Sequence, residues 1–396
     1  MFNTSPTIPT YMMNPYIAES GIFPPYFAGR TRELNEFQKR LNRLLSNGIA
    51  QHIAYIGDWG MGKTSLLLKI KEITENHKCK VLPVSIYNMS SPQNFVSLFL
   101  NSASFIIPPK RWKVFKSKIS SLDISAFGMG ISFNTKDTTF EPQTALQHGL
   151  RNIWETVDQD KPIIIVIDDI QNLSESSVIL SILRNVFIWA QAEGYKFMLV
   201  VTGMIDLFSK FWQAHSPITR FFTPMILGPL TRKEVEDAAI KPLQGSNIKF
   251  TSAAIDKIYE VSEGNTFYVQ LLCQHAFEHK ENMKITTNSF DLGFVTALNE
   301  ISSRMFDQIY STSTESEQQI LKTLLNSDVP LRFSEIVERA KEPGIPESTV
   351  KTSISKLRND EMIKKNLTGK YKNCYEIRDR FFKEFLRLRI TPSAIK

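Results

Sequence analysis

Cysteine is nearly missing from this chain. Cys79, Cys273 and Cys374 lie far apart in 396 residues, without metal-ligand spacing and without the even set of a disulfide framework. Long apolar runs are missing too. Runs such as Ile163 to Ile167 fall far short of the roughly 20 residues that cross a membrane. The opening MFNTSPTIPTYMMNPY carries no basic segment and no continuous apolar segment, so it does not read as a secretory leader. These absences set the expectation of a cytoplasmic, reducing environment with no membrane partner. Glycine is sparse, 17 in all, so a cluster of it carries information.

What is present fits an ordinary globular protein of two or three domains: 42% hydrophobic and 22% charged residues. The net charge of +7 favours anionic partners, nucleic acid among them. Its distribution says more than its size. Residues 110–118 read KRWKVFKSK, five basic residues without an acid, and offer Arg111, Lys113, Lys116 and Lys118.

Residues 1–24 hold four prolines, with Pro25 directly after them, and read as an extended arm. A helix is expected from Arg32 to Ser46, stopped by Asn47-Gly48. Short apolar runs at His52 to Ile56, Val81 to Tyr87, Ile163 to Ile167, Phe197 to Thr202 and Met225 to Leu227 alternate with helical segments. That alternation predicts a three-layer α/β domain over 25–229 with a parallel sheet. Pro83 removes a ladder hydrogen bond and places the second strand at a sheet edge. Ser125 to Asn134 reads as an inserted hairpin. Two capping boxes follow, Thr231 with Glu234 and Thr314 with Glu317. They open a helical region over 230–310 and a third unit over 311–396. In that unit three helices and a hairpin around Thr368-Gly369-Lys370 predict a winged helix-turn-helix.

The glycine cluster is GDWGMGKT, which fits the P-loop pattern. Gly57, Gly60 and Gly62 let backbone N–H groups crowd a phosphate chain without Cβ clashes. Asp58, Trp59 and Met61 fill the loop, and the helix that begins at Lys63, Thr64 and Ser65 points its positive end at the anion. Lys63 is expected on the β/γ phosphates and Thr64 on Mg²⁺. The buried run Ile163 to Ile167 ends in Asp168 and Asp169, carboxylates that need a cation or a reaction. Asp168 is assigned to Mg²⁺, and Asp169 to orienting or deprotonating the attacking water. Thr202, at the end of the next strand, offers a hydroxyl that could sense the γ-phosphate.

With these residues in place the chain resembles AAA+ ATPases of the initiator and STAND branches, including archaeal-type ATPases with a C-terminal winged helix. The resemblance is carried by NPYIAESGIFPPYFAGR, GDWGMGKTS, IIIVIDDIQNL, VVTGM, GPLTRKEV, SEGNTFYVQLL and YEIRDRFFKEFLRLR. It implies a sheet ordered 5-1-4-3-2, an α-helical lid and a winged helix. It also implies an approach of Phe27 and Arg30 to the adenine side of ATP. The chain departs from the family in having no arginine between Arg232 and Arg304, where many relatives carry a lid arginine, and in reading Gly264-Asn265-Thr266 where Gly-Asn-Pro is common. The pair Asp168-Asp169, in place of Asp-Glu, hints at slow hydrolysis. Arg220, just before the last strand, lies on the edge that in such proteins faces a neighbouring subunit's nucleotide, which implies a homo-oligomer.

Besides a non-enzymatic, partner-binding scaffold that holds ATP without turning it over, two outputs for the ATP chemistry stay open at this point. One is a switch that binds or assembles on duplex DNA, as an initiator or mobile-element regulator does, through Lys351, Lys356, Arg358 and Lys370 of the winged helix and the 110–118 stretch. The other is a STAND-type signalling switch whose winged helix meets a protein partner. Residues 305–396 hold 17 basic against 13 acidic residues, a small excess for a DNA-binding unit.

Overall fold

The computed structural model describes residues 13–19, 21–24, 26–86, 91–120, 140–157, 160–173, 176–204, 217–366 and 369–390. The hairpin expected at Ser125 to Asn134, most of the arm and the apex residue Thr368 lie outside these. The chain divides into two compact units, 19–228 and 229–396, the second taking in the stretch up to Ala18.

The first unit begins with α1 (Thr31–Asn47), closed by Gly48, whose N–H reaches Leu44 O at 3.1 Å. Then come β1 (His52–Ile56), α2 (Lys63–Asn76), β2 (Lys80–Val84), α3 (Pro92–Ser102), α4 (Pro109–Ser120) and α5 (Pro142–Thr156). After them follow β3 (Ile163–Ile167), α6 (Ser176–Ala192), β4 (Phe197–Gly203), a one-turn helix Ile218–Phe221 and β5 (Phe222–Ile226). The strands are parallel and ordered β2-β3-β4-β1-β5, the expected order read from the other edge.

Alternation along the strands sorts the core into two layers. Ile53, Tyr55, Ile164, Val166, Met198 and Val200 face α1 and α2 through Phe37, Leu41, Leu66 and Ile70. Ala54, Ile56, Ile165, Ile167, Leu199 and Val201 face α3, α5 and α6 through Phe99, Leu100, Leu150, Ile153, Leu183 and Phe187. Burial of each Val, Leu, Ile, Met or Phe side chain among these contributes about 1.5–3 kcal/mol. Both edge strands carry a proline, Pro83 in β2 and Pro224 in β5, which blunts each edge against pairing with another chain. The second strand is shorter than expected and ends at Val84, and the last begins earlier, at Phe222. Helix α4 is an addition to the sequence reading: Trp112, Phe115 and Ile119 recur at helical spacing, and the last two are buried.

In the second unit both capping boxes form, Thr231 with Glu234 and Thr314 with Glu317. Helices Ser252–Ser262, Thr266–Glu278 and Thr287–Ile301 pack together. Residues of the arm join them: Tyr16 is buried, its hydroxyl donates to Ala239 O, and Asn14 Nδ2 donates to Gln274 O at 2.9 Å. Helices Glu315–Leu325, Phe333–Ala340 and Glu347–Asn359 follow, with strands Leu331–Arg332, Ile363–Lys365 and Cys374–Ile377 in one antiparallel sheet. That is the winged-helix order of elements. The last helix, Arg380–Ile390, fastens this part to the preceding helices. Phe381 stacks on Tyr268 at 4.3 Å, Phe382 meets Phe306 at 5.1 Å, and the Tyr268 hydroxyl donates to Asp379 at 3.0 Å.

All three cysteines are buried thiols. No helix among the described residues is long and apolar enough to cross a membrane.

Candidate functional site

The carboxyl ends of β1, β3 and β4 bring the site together, because parallel strands in register end side by side. Ile56 pairs with Gly203 and Ile167 with Val201. Gly57 continues β1, and its N–H donates to Gly203 O at 3.1 Å. A Cβ at Gly57 would lie 3.1 Å from Leu227 Cβ and 3.2 Å from Leu227 O, so a side chain there would force the loop outward. Gly62 has φ 76°, a left-handed turn that lets α2 start immediately after the loop. Asp58 is exposed, while Trp59, Gly60, Met61, Thr64 and Ser65 are half-buried along the loop and the first turn.

Lys63 is 8% exposed, and its Nζ donates to Gly57 O at 3.0 Å and Asp58 O at 3.1 Å. The ammonium is thus held at the centre of the loop. Arg30 is buried in the left-handed region at φ 61°, and Nη2 donates to Met61 O at 2.9 Å, tying α1 to the loop. Phe27 packs on the α1/α2 side of the sheet and stacks on Phe23 at 6.0 Å.

The acidic pair meets the loop. Thr64 Oγ1 donates to Asp168 Oδ2 at 2.7 Å, and Thr202 Oγ1 donates to the other oxygen, Oδ1. Asp169 N–H donates to Thr202 Oγ1 at 2.8 Å. Burial pushes the Asp168 carboxyl above its ordinary range; the hydroxyls of Thr202 and Thr64 oppose that rise, neighbouring Asp169 adds to it and Lys63 opposes it. Such a carboxylate is suited to a divalent cation. Thr64 and Asp168 fit the protein's share of a Mg²⁺ shell, with nucleotide oxygens and water as the remaining ligands. No group of three or more His, Cys, Asp or Glu side chains among the described residues could hold a metal unaided. Asp169 is left-handed at φ 52°, a conformation that turns it out of the strand.

The family whose profile matches residues 24–365 is Novel STAND NTPase 1. The chain belongs to this family. It is therefore a STAND-type NTPase. No curated protein matches it. Among solved structures, the Walker-type ATPase of Pyrococcus abyssi aligns with a TM-score of 0.60 at 16% identity, over 91% of this chain and 96% of that one. The ORC2 protein of Aeropyrum pernix in its ADP form gives 0.56 at 12% identity, over 94% and 98%. The ORC1 protein of the same organism in complex with DNA gives 0.51 at 14% identity, over 93% and 94%. Identities this low speak for the fold of the STAND NTPase alone.

Of the remaining expected residues, Thr202 sits at the acidic pair and the others lie elsewhere. Thr202 is fully buried and its hydroxyl is engaged by both aspartates, which differs from a hydroxyl free to meet a γ-phosphate. Arg220 lies at the other end of the sheet: His52 pairs with Phe222 and Ile56 with Ile226, so the loop follows one end of β1 and Arg220 precedes the other. On α4, Arg111 donates to Thr156 O at 2.8 Å, Lys118 lies 3.8 Å from Glu155 and Lys116 lies over the Trp112 ring, while Lys113 is exposed. On the helix Glu347–Asn359, Lys356 pairs with buried Glu317 at 3.0 Å. Lys351, Arg358 and Lys370 are exposed.

Proposed function

We propose that this STAND NTPase is an ATP-driven switch that hydrolyses slowly. One observation carries the reading: Thr64 and Asp168 meet at 2.7 Å beside the buried Lys63 ammonium, at the mouth of a glycine loop. Lys63 exchanges weak carbonyl acceptors for β/γ-phosphate oxygens, which bind an ammonium more strongly. Mg²⁺ held by Thr64 and Asp168 would neutralise phosphate charge. Asp169, turned out of the strand by its left-handed backbone, orients the attacking water. A short second carboxylate supports a slow reaction.

The output belongs to the second unit. The helix Arg380–Ile390 packs the winged helix onto the lid helices, which supports their moving as one body that presents a surface to a signalling partner. Lys63→Ala is expected to weaken ATP binding more than tenfold in calorimetry with Mg²⁺, and Asp169→Asn to keep binding and lose turnover. Unchanged affinity in the Lys63 variant would sink the reading.

A second reading, duplex DNA as the partner, is favoured by Lys351 and Arg358, which are exposed on one helix and enter no ion pair among the described residues. Such residues would contact phosphates and orient the domain.

A further inference from the structure

At the amino-terminal end of β1, opposite the P-loop, lies a cavity of about 550 Å³. That is the size of a small-molecule site. Arg40, His52, Arg184 and Arg220 line it, with Phe187 and Phe221 as apolar walls, and no carboxylate takes part in the lining among the described residues. The arginines are not equivalent. Arg40 is neutralised by Glu36 at 2.7 Å. Among the described residues Arg184 reaches only the neutral amide of Asn185, at 3.1 Å. Arg220 is exposed and its guanidinium has no partner among the described residues.

His52 adds a neutral donor. It is 7% exposed, and its Nδ1 accepts the Leu199 N–H at 2.9 Å. The ring proton is therefore on Nε2, and that N–H has no partner among the described residues. Two guanidinium groups without counter-ions among the described residues and the N–H of a largely buried histidine around one cavity suit an anion with several oxygens, because the guanidinium fork matches phosphate geometry. The volume exceeds what a bare ion needs, and the aromatic walls suit a less polar remainder.

We propose that this cavity binds a phosphate-class oxyanion, the head group of a phosphorylated small molecule, through Arg184, Arg220 and His52 Nε2–H. The oxyanion has two sources, a free ligand or the nucleotide carried by a second copy of the chain. Both put the same chemistry between the same donors, and neither requires the chain's own P-loop.

The test uses the full chain with Lys63→Ala, which disables the P-loop, and inorganic pyrophosphate as the probe in low-salt calorimetry. Expected is one-site binding that weakens at least tenfold when Arg184→Gln or Arg220→Gln is added. Arg184→Lys should recover part of it. In spectra of chain labelled with ¹⁵N-histidine, pyrophosphate should shift one Nε2–H signal, the one that disappears in His52→Gln. A nucleotide on a second copy as the source would show itself differently. Pyrophosphate would then not bind, yet ATP-driven assembly of the chain with Lys63 intact would be abolished in both arginine variants. The proposal is overturned if pyrophosphate binds equally well in both arginine variants. It is also overturned if pyrophosphate does not bind and assembly ignores Arg184→Gln.

Discussion

Asp169 donates its backbone N–H to the hydroxyl of Thr202 at 2.8 Å. The same hydroxyl donates to Asp168, so one buried threonine fixes both members of the acidic pair. Thr202→Val keeps the shape and removes the hydroxyl. It is expected to leave ATP affinity within a few-fold and lower kcat about 10–100-fold, the usual cost of removing a partner from a metal-binding carboxylate. Thr202→Ser should restore most of the rate. A purely structural role would instead lower thermal stability with kcat unchanged in the folded fraction, and steady-state rates with melting curves separate the two.

His52 makes stability depend on pH. Burial, aided by the neighbouring Arg40 charge, pushes its pKa down from 6.5 to about 3. Between these values the unfolded chain binds a proton at His52 that the folded chain refuses. The contribution of His52 is therefore complete above pH 6.5 and is lost as pH falls towards 3, at up to about 1.4 kcal/mol per unit. His52→Gln removes the ring packing and is expected to melt lower than wild type at pH 7.5. The gap should narrow steadily from pH 6.5 to 4.5. Parallel melting curves across that range would contradict a neutral, buried His52.

How far the sequence reveals this molecule depends on whether neighbours in space are neighbours in the chain. The P-loop lies within eight residues between a strand and a helix, so its glycine spacing is enough. Pro83 betrays an edge strand because a proline cannot donate to a ladder on both sides. Pro224 carries the same signal for the other edge, hidden because the last strand starts at Phe222, earlier than its apolar run. Helix α4 is masked by its charge: five basic residues draw the eye from Phe115 and Ile119, which anchor it. The engagement of Thr202 depends on β3 and β4 lying side by side, a pairing that no local pattern contains. The basal cavity is harder still, since Arg40, His52, Arg184 and Arg220 come from four separate elements.

The basic helix α4 bears on the DNA reading. Arg111 caps the end of α5 and Lys118 faces Glu155, so only part of its charge is free for phosphates. Both pairs are exposed, and such pairs are weak enough for DNA to exchange them. If duplex DNA is the partner, neutralising Arg111, Lys113, Lys116 and Lys118 together should flatten the salt dependence of binding by about 0.9 in log–log slope for each phosphate they had neutralised. Filter binding between low and moderate salt measures it. An unchanged slope assigns α4 to solvent or to a protein and leaves the winged helix as the remaining DNA surface.

The position of Arg220 determines how it can take part in hydrolysis. The five residues of β1 separate it from the loop that begins at Gly57, and five residues of strand span roughly 17 Å. Arg220 therefore cannot reach the phosphates on its own P-loop. If it stabilises the charge that spreads over a γ-phosphate, that phosphate is on another copy of the chain. An arginine supplied in this way is worth about 10³–10⁵ in rate. Specific activity should then rise with protein concentration, and Arg220→Ala should keep ATP binding while losing the rise. The discriminating measurement mixes Arg220→Ala with Lys63→Ala, each inactive alone. In a mixed oligomer the Lys63→Ala copy supplies an intact Arg220 to the intact loop of its neighbour, and part of the activity returns. A mixture as inactive as its parts, together with a wild type that works as a monomer, would remove Arg220 from the reaction and leave it to the basal cavity.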